Sequence, residues 1–248
     1  MRILKRFLIF FLAVYLAPLG LHAAIFLSQE RPTDWRSANW SSAALLPPPA
    51  TSEPAAVYVF AGRVARSRGV FAHHHWMVVK ERGATAYTRY DVTSWAGVRE
   101  NGWAPDGRWF GDTPILVGKI EGEAAERAIP KVRAAVLRWR DDFERYVLWP
   151  GPNSNSFIAM LVAAIPDSGI SLLPTGIGKD YRGTGFYAGA TPSHSGVQAS
   201  AYGVLGFSLG WVEGVELNLL GLVAGLDVRR PALKLPGFGR IGAAPVAD

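Results

Sequence analysis

Residues 149–165, WPGPNSNSFIAMLVAAI, constrain the fold more than any other stretch of the chain. Pro150 and Pro152 bar regular structure at its start, and Asn153, Ser154, Asn155 and Ser156 follow, ahead of an uninterrupted apolar run. Asn and Ser directly before such a run are N-cap residues, so the pattern predicts a buried helix with a hydroxyl at its mouth. The backbone N–H groups of that first turn form the positive end of the helix and stabilise an anion placed there. Ser154 is therefore the residue whose role most needs explaining.

A chain of 248 residues, 49% hydrophobic and with 9 Trp, can bury a large core. It has no cysteine, which excludes disulfides, thiolate chemistry and zinc sites built on Cys. The net charge is +6, and Arg2, Lys5 and Arg6 supply three of those charges. The remainder shows no basic stripe interleaved with aromatics, so nucleic acid is not an expected partner. Residues 7–27 carry no charge, and such a run at about 1.5 Å per residue spans a hydrocarbon core of about 30 Å. Residues 1–27 thus read as a transmembrane anchor or a signal helix. Leu21 and His22 make a poor cleavage context before Ala23, which favours the anchor. The basic end stays in the cytoplasm. The expected location is the inner membrane, with the domain in the periplasm or otherwise outside the cytoplasm. Residues 28–54 read as a Pro-rich linker or arm that Trp35 and Trp40 dock, and residues 55–248 as the globular domain.

Strand patterns occupy residues 56–60, 70–80, 85–92 and 114–121, with Gly83 at a tight connection that makes the middle two a hairpin. Residues 101–113 are a Gly- and aromatic-rich loop. Residues 123–139 are amphipathic, and Pro130 is expected to kink that helix or start a second one. Residues 202–226 are apolar but hold six glycines and Glu213 and Glu216, which suits Gly-bearing strands or a surface against a bilayer better than a transmembrane helix. The basic, proline-broken tail is a candidate for anionic headgroups.

The second polar feature in an apolar setting is HHHW, residues 73–76. Alternate strand residues share a face, so His74 points with Trp76, and His73 with His75. These histidines can be a solvated strand end, a metal site completed by Glu81, Asp91 or His194, or a general base.

HHHWMVVKE and WPGPNSNSF, with DWRSANWSSA and LGWVEGVELNLLGLVAG, resemble an uncharacterised bacterial membrane-associated family, a domain of unknown function. HHWMVV and NSNSF also resemble, more distantly, circularly permuted papain-like proteins of the deubiquitinase-like and lecithin retinol acyltransferase-like groups. In those proteins a strand bearing the catalytic His precedes a helix that begins with the nucleophilic Cys. The resemblance implies an α+β fold, an antiparallel sheet packed against helices, with His74 in the histidine place and Ser154 in the cysteine place. A serine hydroxyl cannot be ionised as a thiol of pKa about 8.5 can, and needs a base during attack. His74 would be that base, the helix N–H groups the oxyanion donors, and Tyr90 or Asp91 the orienting third group. Asn153, Asn155, His73, His75 and Trp76 are candidates for binding around them. No cofactor is implied. Three functions stay open: a Ser/His hydrolase or acyltransferase on an amide, ester or peptide bond; a non-catalytic module binding cell-wall peptide, lipid or protein; and a His-based metal protein.

Overall fold

The computed structural model describes every residue except Thr33, Glu144, Thr184, Ala247 and Asp248. Helices α1 (Arg2–Phe11) and α2 (Ala17–Leu27) join through one π-helical turn into a single apolar helix, Arg2–Leu27, long enough to cross a membrane. None of α1 is buried, whereas Tyr15 and His22 further along are. The Tyr15 hydroxyl donates to the Leu217 carbonyl at 2.8 Å, and the His22 ring meets Phe238 edge-on at 5.1 Å.

Strands β1 (Ala56–Arg63), β2 (His73–Lys80), β3 (Thr88–Thr93), β4 (Gly97–Glu100) and β5 (Ile115–Glu121) form an antiparallel sheet in the order β4-β3-β2-β1-β5. Each predicted strand falls on one of these. The edge strand β4, GVRE, carries no apolar alternation and was not expected. Val57, Val59, Met77, Val79 and Val117 turn one face of the sheet to α3 (Glu123–Asp142) and α4 (Ser154–Ala163). On α4, Phe157, Ile158 and Leu161 are completely buried against that face. Of the two outcomes expected at Pro130, a second helix does not start there, because one continuous α3 is buried on both sides of the proline: Ala125 and Ile129 before it, Val132, Val136 and Trp139 after it. Packing of one continuous stripe outweighs the hydrogen bond that proline removes.

The opposite face carries Tyr58, Phe60, Trp76 and Val78 and is covered by Trp40, Trp103, Trp109 and Phe110. The polar segment before β1 is therefore part of the domain's third layer. Asp106 holds it, accepting from the Ser42 hydroxyl at 2.6 Å and the Leu45 N–H at 2.6 Å. Trp40 docks as expected, but Trp35 is 64% exposed.

The chain ends in a seven-stranded antiparallel meander: β6 (Phe186–Ala190), β7 (Gly196–Ala201), β8 (Leu205–Gly210), β9 (Gly214–Leu219), β10 (Leu222–Asp227), β11 (Ala232–Leu235) and β12 (Gly239–Gly242). Residues paired across an antiparallel ladder share a face. One such row runs Val197, Leu209, Val215, Leu226, Leu233, Ile241, all exposed. The next row runs Gln198, Ser208, Glu216, Gly225, Lys234, Arg240, and its first three members and Lys234 are buried. The sheet is apolar outside and polar inside. Within it Glu216 binds Lys179 at 2.6 Å and Lys234 at 2.6 Å, and Asp180 accepts from Gln198 at 2.9 Å and Asn218 at 2.9 Å.

Removing one partner of a buried ion cluster leaves the others uncompensated and typically costs about 3–5 kcal/mol. Glu216→Gln, which takes the carboxylate from Lys234 and leaves Lys179 with Asp180 alone, is expected to lower unfolding free energy by that amount in a denaturant titration.

Candidate active site

Helix α4 starts where the sequence pattern requires it. Asn153 is the N-cap: its Oδ1 accepts from the Asn155 N–H at 2.9 Å and the Ser156 N–H at 3.2 Å, and the Ser156 hydroxyl accepts in return from the Asn153 N–H at 3.3 Å. This reciprocal cap is worth about 1 kcal/mol and uses two of the first-turn N–H groups. The oxyanion donors expected at this terminus are thereby reduced, because Asn153 already occupies those of residues 155 and 156. The Ser154 N–H has no partner among the described residues. Its hydroxyl likewise makes no hydrogen bond among them. Capping therefore does not explain Ser154.

Asn155 ties α4 to β2. Its Oδ1 accepts from the His75 N–H at 3.1 Å and faces His75 Nδ1 at 2.8 Å, while its Nδ2 donates to the carbonyls of His73 at 3.0 Å and Ile177 at 2.8 Å. The Leu173 N–H donates to His75 Nε2 at 3.3 Å, so Nδ1 of that ring carries the proton. His73 Nδ1 lies 2.7 Å from the Thr175 hydroxyl. Burial, reinforced by Arg63, pushes His73 well below the ordinary imidazole value, and burial takes His75 down to about 3. Both rings are neutral and engaged in joining the sheet to the helix and the 172–177 segment. Among the described residues no group of three His, Cys, Asp or Glu side chains could hold a metal ion.

His74 lies on the other face of β2, as the alternation predicts. Its Nε2 is 2.6 Å from Asp91 Oδ1, and the Arg89 Nε binds Asp91 Oδ2 at 2.5 Å. Burial alone would raise the Asp91 carboxyl, but Arg89 and His74 outweigh it and hold it below the usual carboxylate value. An ionised Asp91 fixes the His74 proton on Nε2 and leaves Nδ1 as the basic nitrogen. Trp109 stacks on the His74 ring at 4.1 Å between centroids. That approach requires Gly62, where a Cβ would stand 2.4 Å from Trp109 Cβ.

His74, Ser154 and Asn153 line one cleft of about 470 Å³ at the end of β2. Its walls are mainly apolar, with Trp109, Trp149 and Phe71, and α2 contributes Leu19 while the β9–β10 corner contributes Leu220. Of the residues singled out in the sequence, Tyr90 stands apart. It faces the helix layer with Met77, on the side of the sheet away from His74. Trp76 lies beneath the site, fully buried, donating to the Pro105 carbonyl at 2.8 Å, with the Arg89 guanidinium 4.1 Å from its ring. Sequence reasoning missed Arg89 and Thr175. Arg89 was findable, since the hairpin places it two residues from Asp91 on the same face. Thr175 lies in irregular chain with no periodicity to read.

The arrangement defines a class: an α+β domain whose central strand and buried helix end meet at a polar point in an apolar cleft. The profile of the family described as Protein of unknown function (DUF3750) matches residues 54–181, more than half of the chain, and the chain belongs to that family. The match includes His74, Asp91 and Ser154 and ends before β6. No curated protein and no solved structure matches the chain.

Two outcomes follow from this geometry. Asn155→Ala abandons four hydrogen-bonding groups, and at about 1 kcal/mol each it is expected to cost roughly 3–4 kcal/mol, whereas Ser154→Ala, which abandons none, stays within about 1 kcal/mol in the same unfolding assay. Because His73 and His75 resist protonation in the fold, stability is complete above about pH 6.5, the unfolded imidazole value, and declines as pH falls towards about 3, where the unfolded chain takes up protons the native rings refuse. Melting temperature against pH reads this, and His75→Asn flattens the slope.

Proposed function

We propose that this is a membrane-anchored envelope protein that cleaves or transfers an acyl group at an amide, ester or peptide bond, with Ser154 as nucleophile. The observation that carries this is the shared cleft. A hydroxyl without a structural partner and a histidine whose Nδ1 makes no hydrogen bond among the described residues line the same cleft, and a buried carboxylate holds the other ring nitrogen. In this reading Ser154 Oγ attacks the carbonyl carbon as its proton passes to His74 Nδ1. The Ser154 N–H then faces the oxyanion, and His74 returns the proton to the departing group. Water or a second acceptor removes the acyl group from Ser154 by the same path in reverse. Asp91 is a positioning residue, stabilising the imidazolium while remaining ionised. The order of elements, histidine strand before nucleophile helix, is that of the permuted papain-like proteins with serine for cysteine. The apolar walls favour a substrate with an apolar group beside the scissile bond. The basic residues at the start of α1 favour a cytoplasmic N-terminus and a domain on the far side of the inner membrane.

The same apolar cleft also suits a module that binds a cell-wall or lipid ligand without reaction. A fluorophosphonate probe separates the two. Labelling of the full chain is expected to vanish in Ser154→Ala and to slow by about 10²–10⁴-fold in His74→Gln, the usual contribution of a general base. An unlabelled chain that still binds apolar ligands would leave only the binding module.

A further inference from the structure

We infer that the outer face of the C-terminal sheet, β6 to β12, is seated in the acyl region of a lipid bilayer beside the N-terminal helix. This is independent of the chemistry at Ser154. In a soluble sheet with one exposed face, the polar residues look outward and the apolar ones inward. Here the alternation is inverted over the whole width of the sheet. The exposed row from Val197 to Ile241 contains no polar residue, and Phe207 in the neighbouring row is also 50% exposed. The inner row buries Glu216 and Lys234 in a closed set of ion pairs. Placing charge inside and hydrocarbon outside is the pattern of β-sheets whose outer solvent is lipid. A contiguous apolar surface of this width is not ordinary for a face that meets water.

The identity of the occupant comes from the helix. The apolar helix Arg2–Leu27 lies on this same outer face: Tyr15 sits over Leu217 of β9, and Ala224, outward on β10, is covered. Whatever solvent surrounds the helix therefore surrounds the sheet beside it. The lengths agree as well. From Phe7, where the charged residues end, to Tyr15 the helix rises about 12 Å, most of one leaflet in a hydrocarbon core of about 30 Å. The sheet meets the helix at that point, so its outer face occupies the other leaflet. Strands of six residues, as in β7 to β10, are too short to cross a bilayer, which needs about 9–11, and they fit a sheet that dips into one leaflet.

The absence of native cysteine allows a direct test on the full chain. Leu209→Cys and Leu233→Cys, both on exposed outer-face positions, and Arg127→Cys, on the solvent side of α3, are each labelled with bimane and reconstituted in phosphatidylethanolamine–phosphatidylglycerol vesicles. The inference expects the labels at 209 and 233 to lose most of their fluorescence when a phospholipid with a nitroxide on its acyl chain is included, and to be shielded from aqueous iodide. The label at 127 should behave in the opposite way. Labels at 209 and 233 quenched by iodide as strongly as that at 127 would overturn the inference by placing the face in water. Labels shielded from both quenchers would overturn it in favour of a second copy or another protein, and so would a chain that does not associate with the vesicles. Because the helix can attach the chain to the vesicle by itself, quenching at 209 and 233 reports on the sheet and not on attachment.

Discussion

The side chain of Asn155 is the joint on which the domain turns. One amide takes the N–H and ring of His75 and gives its own hydrogens to the carbonyls of His73 and Ile177. It thereby sets the start of a buried helix against the first residues of a buried strand, where backbone groups would otherwise be stranded away from water. Everything at the cleft inherits its position from that contact. Ser154 precedes the joint on the helix, and His74 lies between the two histidines that it holds. Because the outer two rings are spent on structure, the middle one is left to face the opposite side, where Asp91, Arg89 and Trp109 determine its tautomer and orientation.

Much of this was legible because it is local. Two prolines, four small polar residues and an apolar run can do little except begin a capped helix, and strict alternation on β2 sorted His74 from its neighbours. The choice between Asp91 and Tyr90 as partner was not legible. It depends on hairpin register, which pairs Met77 with Tyr90 and so sends that tyrosine to the helix layer. Which of Asn153 and Ser154 serves as the cap was also hidden, since either side chain is chemically able to do so. The continuous α3 reflects tertiary packing overriding a local breaker. Whether the Pro-rich segment is a linker or a docked arm was not legible, because its anchor, Asp106, lies more than sixty residues away in a loop.

The two halves of the protein solve burial in opposite ways. The first sheet is conventional, with Val, Met and Phe turned inward on both faces and the buried Asp91 and Arg89 paired with each other beside His74. The second sheet matches its charges inside, Glu216 to two lysines and Asp180 to two amides, and leaves its hydrocarbon outside. A buried ion cluster adds little net stability over an apolar core, but it strongly penalises any register that separates its members. Glu216 on β9 reaches Lys179 and, on β11, Lys234 together in one strand alignment, so the cluster fixes the order that similar Gly-rich strands could otherwise exchange.

The meander has a kinetic consequence. Each of its strands pairs with the one before it, so its contacts close short loops and carry little chain-entropy cost, the topology that favours rapid folding. The bond from Tyr15 to Leu217 spans 202 residues and closes nearly the whole chain. The ordering that follows is local sheet first and helix docking last. The N-terminal helix thus joins a surface that is already assembled, and the inverted sheet spends the interval before docking with its hydrocarbon face available to whatever apolar phase is nearest.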